Sequence, residues 1–218
     1  MSVFRARTLP ISYRGSRFNK NGHGARLPAG RQGHGHEKMS WELDFMRWAN
    51  GWWSSSVLDQ ILPWLTYLGS HFAVIFFILL SWILTQRKKI LLRLVLLYAT
   101  QSAVIYSLKF LTQRQRPFLF LELASKFSKG PGEILDPSFP SAHAVFAFTM
   151  ATLLAERFPR YRVIFLFGAA FIGWTRIYLS LHYPTDVIAG GLLGYGMTKL
   201  FMKIFSHQGF IGPSQTYE

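Results

Sequence analysis

The sequence contains no cysteine, and only 10 of its 218 residues are acidic. The absence of cysteine excludes disulfide bonds, thiolate metal sites and cysteine-based phosphatase chemistry. The scarcity of Asp and Glu argues against a catalytic site built on two carboxylate-bridged metal ions. We therefore expect no cofactor and no metal, and any chemistry must rest on histidines, basic residues and a few carboxylates.

The hydrophobic residues, half of the chain, gather in five runs separated by short polar turns. These runs lack the polar stripe of a surface helix, and several approach the roughly 20 residues that span a bilayer. The sequence thus predicts an all-α, polytopic membrane bundle of about five transmembrane helices plus interfacial amphipathic helices. The runs cover residues 72–85, 90–111, 144–155, 163–181 and 187–205.

The chain divides into three segments by composition. Residues 1–38 are rich in Gly, Arg and His without an apolar period, which predicts a disordered basic tail. Met39 offers an alternative start, so this tail need not be native. Residues 39–206 form the predicted membrane domain, and residues 207–218 a short C-terminal tail.

Four tryptophans open the membrane domain, and this enrichment predicts an interfacial amphipathic helix, with core packing of the rings as the alternative. A second amphipathic piece, residues 57–68, leads into the first run. A sixth crossing formed by residues 57–71 stays open. The tryptophans are Trp41, Trp48, Trp52 and Trp53.

The net charge of +14 would suit nucleic acid, but the basic residues lie mostly in the tail and at the ends of the apolar runs. The positive-inside bias explains the latter, so we expect no nucleic-acid partner. The basic loops 86–89 and 156–162 are then cytoplasmic, which predicts a multi-pass protein of the plasma (inner) membrane. The opposite loops face the periplasm or exterior. Five spans would leave the basic tail outside, a conflict that a start at Met39 removes for the most part.

Three polar clusters lie at the outer ends of the runs. Lys109 and Arg116-Pro117 end the second run, where Pro117 should help to end the helix and both cations can face one anion. Ordinary snorkelling at a helix end is the alternative. Next, Pro140-Ser141-Ala142-His143 opens the third run, and its N-cap serine and free N–H groups suit an anion, or simply a capped helix start.

The third cluster runs from Thr175 to Asp186. Arg176 lies within an apolar run, where an ionisable residue usually has a function. Pro184 interrupts the helix after His182, so the turn should bring His182 and Asp186 together near Arg176. The alternative is a structural Arg176–Asp186 pair with His182 merely packed.

Together the clusters resemble the signature of the type-2 phosphatidic-acid phosphatase superfamily, which implies a helical-bundle lipid phosphatase. The pattern is Lys-six-Arg-Pro, Pro-Ser-Gly-His and Ser-Arg-five-His-three-Asp, and the match extends from Lys109 to Asp186. Ala142 replaces the glycine and Thr175 the serine. Alanine keeps the backbone N–H but restricts φ, and threonine keeps the hydroxyl.

The resemblance implies a role for each matched residue. His182 would attack phosphorus and form a phosphohistidine, Asp186 would orient it, and His143 would protonate the leaving oxygen and then activate water. A neutral His182 with a protonated His143 predicts a bell-shaped pH profile. The phosphoryl oxygens would be held by Lys109, Arg116, Ser141, Ala142 and Arg176.

The predicted function is metal-independent hydrolysis of a membrane lipid phosphate, with undecaprenyl diphosphate slightly ahead of phosphatidylglycerophosphate, phosphatidate and lipid A. A lipid-to-lipid phosphotransferase and a non-catalytic phospholipid-binding membrane protein are the alternatives. The loop 118–139 should cover the site, and Gly190 and Gly194 should form a small-residue packing face.

Overall fold

A computed structural model of the protein describes residues 40–119 and 136–205, which belong to one compact unit, Glu37–Glu218. The predicted tails, residues 1–38 and 207–218, lie outside the described residues. So does most of the loop 118–139 that we expect to cover the site.

The described residues form seven α-helices and no strand, which confirms the predicted all-α membrane bundle. Many large apolar side chains point outward, such as Phe72 and Val163, with exposed fractions of 79% and 78%. A hydrocarbon environment suits such a surface. The helices are α1 (Ser40–Trp53), α2 (Ser56–Leu65), α3 (His71–Thr85), α4 (Lys88–Thr112), α5 (Ala142–Arg157), α6 (Arg162–Tyr178) and α7 (Pro184–Ile204).

Within the described ranges, two helical segments are long and apolar enough to cross a membrane, Lys88–Leu119 and Pro184–Ile204. A third appears if Ser56–Gly69 and His71–Thr85, bent by 51°, are one broken span. Helices α5 and α6 have 16 and 17 residues, or about 24–26 Å, against a hydrocarbon core of about 30 Å. Five crossings therefore stay a prediction, and residues 57–71 lie within this bent pair of helical segments.

Helix α1 is amphipathic, as expected. Trp41, Trp48 and Trp52 are exposed, whereas Met46 on the opposite face is fully buried. Trp53 instead packs on Trp174, with the ring centroids 5.7 Å apart. Three rings thus face outward, as an interfacial helix requires, and one packs against the core, while the interfacial location of α1 stays a prediction.

Small residues let α5 and α7 approach closely. A Cβ added to Gly190 would lie 2.6 Å from the Ser141 carbonyl oxygen, and one added to Gly194 would lie 2.2 Å from that of Val145. Only glycine fits at such distances, which confirms the predicted packing face. The backbone at the start of α5 is therefore fixed directly against α7.

A polar contact at mid-bundle joins three helices. Gln101 of α4 donates to Thr149 of α5 at 2.8 Å and to Thr198 of α7 at 3.4 Å, and all three side chains are buried. Interhelical hydrogen bonds of this kind stabilise membrane bundles, where no water competes for the donors.

The opposite end of the bundle is basic and less tightly packed. Glu156 pairs there with Arg162 at 3.2 Å and with Lys199. An apolar cavity of about 430 Å³ lies between α3, α4 and α5. Its lining includes Phe77, Leu84, Leu94, Leu153 and Arg157.

The glycine face yields a stability test. Gly194→Ala places a methyl group on the Val145 carbonyl, so we expect a loss of about 1–3 kcal/mol in the free energy of unfolding. Gly196→Ala is the matched control, because nothing lies within 4 Å of its added Cβ. The control should be neutral or slightly stabilising, since alanine favours helix. Equal stabilities of the two variants in thermal denaturation would contradict this packing.

Candidate active site

The positions of Lys109 and Arg116 are set by the way in which α4 ends. Lys109 is buried on its last turn, and the helix ends at Thr112, where Gln113 takes a left-handed conformation with φ 46°. The expectation that Pro117 helps to end the helix is wrong, because Pro117 instead begins a short 3-10 helix, Pro117–Leu119. The intervening segment turns back and brings Arg116 beside Lys109.

Both cations bind the same carboxylate, that of Asp136. Lys109 Nζ lies 2.9 Å and Arg116 Nη2 3.2 Å from Asp136 Oδ2, and Arg116 Nε donates to the Asp136 carbonyl at 2.7 Å. The Asp136 side chain is 41% exposed, whereas both cations are buried. An exposed anion thus covers a buried cation pair, and sequence reasoning missed it.

His182 lies in the tight connection between α6 and α7. Its backbone N–H and that of Leu181 both donate to the Arg176 carbonyl, and Ser180 adopts a left-handed φ of 55°. This turn folds the chain onto the end of α6 before Pro184 begins α7. His182 is consequently buried, with an exposed fraction of 2%.

The two ring nitrogens of His182 face opposite charges. Nδ1 is 3.6 Å from Asp186 Oδ2, and Nε2 is 3.5 Å from Arg116 Nη1. Burial lowers the pKa of His182 well below its usual value, and the charges of Arg116 and Arg176 lower it further. Both effects favour the neutral imidazole, and a proton on Nδ1, the nitrogen that faces Asp186, would leave a lone pair on Nε2.

Asp186 has no exposed surface and is held on both oxygens. Oδ2 accepts a hydrogen bond from the Tyr183 N–H at 2.9 Å, which caps α7, and Oδ1 accepts one from Arg114 Nη1 at 2.5 Å. Arg114 is not among the site residues predicted from the sequence. A carboxylate this buried needs such a partner to stay ionised.

Arg176 is held from the bend between α2 and α3. Its Nη1 donates to Thr66 Oγ1 at 3.1 Å, and the neighbouring Thr175 hydroxyl donates to the same oxygen at 3.0 Å. Threonine at 175 thus keeps the hydroxyl of the family's serine in use. Thr66 was also missed, since it lies more than 100 residues away in sequence.

The start of α5 joins this assembly through its backbone. Ser141 caps the helix by accepting from Ala144 N at 3.5 Å, and its own N–H donates to the Asp186 carbonyl at 3.1 Å. Ala142 is the first helical residue and has no positive φ, so alanine fits there. His143 contacts the bend, because a Cβ on Gly69 would lie 2.8 Å from its carbonyl oxygen.

The described residues therefore bring all three clusters to one end of the bundle. Residues 90–210 match the sequence model of the PAP2 superfamily. The chain belongs to the PAP2 superfamily. It is accordingly a membrane protein of a family that contains lipid phosphatases.

Two curated relatives differ in how much they share with this PAP2 chain. A lipid A 1-phosphatase of Rhizobium johnstonii is 35% identical over 99 residues, 45% of this chain and 41% of the relative. An undecaprenyl-diphosphatase of Sulfolobus acidocaldarius is 28% identical over 152 residues, 69% and 72% of the two chains. The chain thus spans only about two fifths of the length of the first relative.

Two crystal structures share the fold. LpxE of Aquifex aeolicus superposes with a TM-score of 0.63 at 30% identity, over 74% of this chain and 94% of that one. A PAP2-type phosphatidylglycerolphosphate phosphatase of Bacillus subtilis gives a TM-score of 0.65 at 22% identity, over 80% and 89%. The latter likeness concerns the fold alone.

Proposed function

We propose that the protein is an integral-membrane lipid phosphatase that works through a phosphohistidine on His182. The observation that carries this proposal is the placement of the buried His182 ring, with Nδ1 beside Asp186 and Nε2 beside Arg116. A site that only bound phosphate would need cations but no oriented, neutral imidazole. Family membership agrees with this assignment.

In the first step, the Nε2 lone pair of His182 attacks phosphorus, and the bond from phosphorus to the lipid oxygen breaks. His143 gives its proton to that oxygen, so the lipid leaves as an alcohol or as a monophosphate. The imidazole becomes positively charged when it carries the phosphoryl group, and the Asp186 carboxylate stabilises that charge.

In the second step, water attacks phosphorus and the P–N bond breaks. The His143 ring that gave up its proton in the first step takes a proton from this water, and inorganic phosphate departs. His182 returns to its neutral state. Each histidine thus ends the cycle as it began.

The phosphoryl oxygens bind the cations and N–H groups that converge on the site. Phosphoryl transfer depends on positioning and on stabilising charge at the equatorial oxygens, which fixed cations supply. The Asp136 carboxylate contacts two of these cations, so an incoming phosphate must displace it. The proposed ligands are Lys109, Arg116, Arg176, Ser141 and the Ala142 N–H.

The substrate is a lipid whose phosphate lies at headgroup level, and we rank undecaprenyl diphosphate first. An outward-facing site suits a carrier lipid that is recycled after use outside the cell. The undecaprenyl-diphosphatase relative aligns over most of both chains. Lipid A is the second candidate, because the lipid A 1-phosphatase relative is 35% identical over its shorter match.

The nucleophile can be tested with His182→Ala. We expect wild-type protein in detergent to release phosphate from a panel of undecaprenyl diphosphate, phosphatidylglycerophosphate, phosphatidate and lipid A, in excess chelator. The variant should lose at least about 10³-fold in kcat, as loss of a nucleophile does elsewhere. Full activity of the variant would exclude His182 as the nucleophile.

The same panel separates the alternatives. Labelled phosphate trapped on wild-type protein, acid-labile and absent from His182→Ala, supports the covalent step. Label that appears on an added lipid alcohol instead of in free phosphate would identify a phosphotransferase. Lipid binding by both proteins without any turnover would identify a binding protein.

The pH dependence follows from the lowered pKa of His182. The imidazole must be neutral to attack, so activity is present above its pKa and lost as pH falls through it. We expect the acid limb of kcat/KM well below the usual histidine value of about 6.5. Two substrates of different phosphate pKa serve as control, because an enzyme limb stays fixed between them. A fixed limb at or above about 6.5 would contradict the neutral, buried nucleophile.

Removal of the competing carboxylate should strengthen phosphate binding. In Asp136→Asn, Lys109 and Arg116 lose an anionic partner, so inorganic phosphate should inhibit at roughly 3- to 10-fold lower concentration. Asp44→Asn, which removes an exposed ion pair with Arg47, is the control and should not change inhibition. Weaker inhibition of Asp136→Asn would mean that Asp136 arranges the cations rather than competing with phosphate.

A further inference from the structure

Arg114 occupies the side of Asp186 that does not face His182. Its Nη1 donates to Asp186 Oδ1 at 2.5 Å and to Thr185 Oγ1 at 2.8 Å, while Asp186 Oδ2 is the oxygen near the imidazole. The guanidinium also lies over the Tyr183 ring, 4.1 Å from its centroid. Arg114 therefore contacts three of the four residues that follow His182.

Arg114 is itself held by Glu42 of α1. Its Nη2 donates to Glu42 Oε2 at 2.5 Å, and Glu42 Oε1 accepts from the Thr185 hydroxyl at 2.7 Å and from the Thr185 N–H at 3.3 Å. The Glu42 side chain is 4% exposed. The three residues thus form a closed ring of hydrogen bonds, which fixes the guanidinium in both position and orientation.

Helix α1 also contacts the connection around His182 at a second point. Asn50 Nδ2 donates to Ser180 Oγ at 2.9 Å, in a buried contact, and Met46 packs on Tyr183 between the two anchors. Glu42, Met46 and Asn50 lie on one face of α1, since they are four residues apart. The two anchors therefore bracket His182 from both sides in sequence.

The charges around Arg114 indicate what it does. Its cation is shared between two carboxylates, those of Glu42 and Asp186, so little of it is left for a substrate phosphate. The planar guanidinium presents two nitrogens at a fixed angle, one to each carboxylate, which an ammonium group cannot do. The plane of the Asp186 carboxylate is set by this contact together with the Tyr183 N–H.

We propose that Arg114, fixed by Glu42 of α1, is a positioning residue that sets the Asp186 carboxylate against His182. This proposal rests on the phosphatase function proposed above. Arg114 does not touch the reacting atoms but acts through Asp186. Helix α1 thereby supports the site through Glu42, although none of its residues is among the proposed phosphate ligands.

The test compares kcat with KM in four single variants and one double variant of the full-length protein. We expect Arg114→Ala to lower kcat by about 10²-fold with KM little changed, since a small misplacement of a catalytic group has an effect of this order. Arg114→Lys should recover only part of the loss. Glu42→Gln should lower kcat by about 10-fold, and should add nothing in the Arg114→Ala background, because the two act as one unit. Arg47→Ala, which breaks an exposed ion pair of α1, should match wild type.

Chemical rescue separates positioning from simple support of the fold. Arg114 is 17% exposed, so a small cation can reach its place. Millimolar guanidinium should raise kcat of Arg114→Ala at least several-fold, whereas sodium at equal ionic strength should not. His182→Ala should not respond to either. If Arg114→Ala does not fold, Glu42→Gln and Arg114→Lys carry the same kcat-against-KM comparison.

The outcomes are distinguishable. An active wild type with unchanged kcat in Arg114→Lys and Glu42→Gln overturns the positioning role and leaves the phosphatase standing. A raised KM with unchanged kcat also overturns it, since Arg114 would then bind substrate. A wild type without activity on any lipid of the panel overturns both proposals.

Discussion

A carboxylate without exposed surface must be surrounded by hydrogen-bond donors. The burial of Asp186 therefore determines which groups lie around it at this end of the bundle. Its side chain draws in the Tyr183 N–H and Arg114, and its carbonyl binds the start of α5 through Ser141. Four elements therefore meet around Asp186. The start of α7 carries it, the segment after α4 supplies Arg114, and the start of α5 supplies Ser141. Helix α1 joins them through Glu42, which binds Arg114. The burial that makes the group costly to ionise also keeps water from weakening its effect on His182.

Close helix packing and this charge network depend on one another. Gly190 and Gly194 let the α5 backbone lie against α7, and only at that separation does the Ser141 N–H reach the Asp186 carbonyl. The bend between α2 and α3 brings in Thr66, which binds Arg176. Irregular backbone of this kind is tolerated in a membrane where it lines a polar site. The site is thus assembled from helix ends and interruptions rather than from helix interiors.

The sequence predicted the features that depend on local spacing. The helical class, the cap at Ser141, the glycine face of α7 and the approach of His182 to Asp186 all follow from residues a few positions apart.

Arg114 and Asp136 could not be found this way. Arg114 lies inside the six-residue gap of a motif, and its partners Glu42 and Asp186 are each 72 residues away. Asp136 is 20 residues from Arg116 in sequence, and nothing in its neighbours indicates that it pairs with two buried cations. The number of crossings also escapes prediction, because α5 and α6 are short and α2–α3 is bent.

The tightness of packing changes along the bundle. Near the site, Gly190 and Gly194 bring the backbones of α7 and α5 together, because an added Cβ would lie within 2.6 Å of a carbonyl oxygen. Toward the basic end, a cavity of about 430 Å³ lies between α3, α4 and α5. Substitutions that change side-chain volume, and adjustment to bilayers of different thickness, can therefore be accommodated at the basic end while the spacing around His182 stays constant.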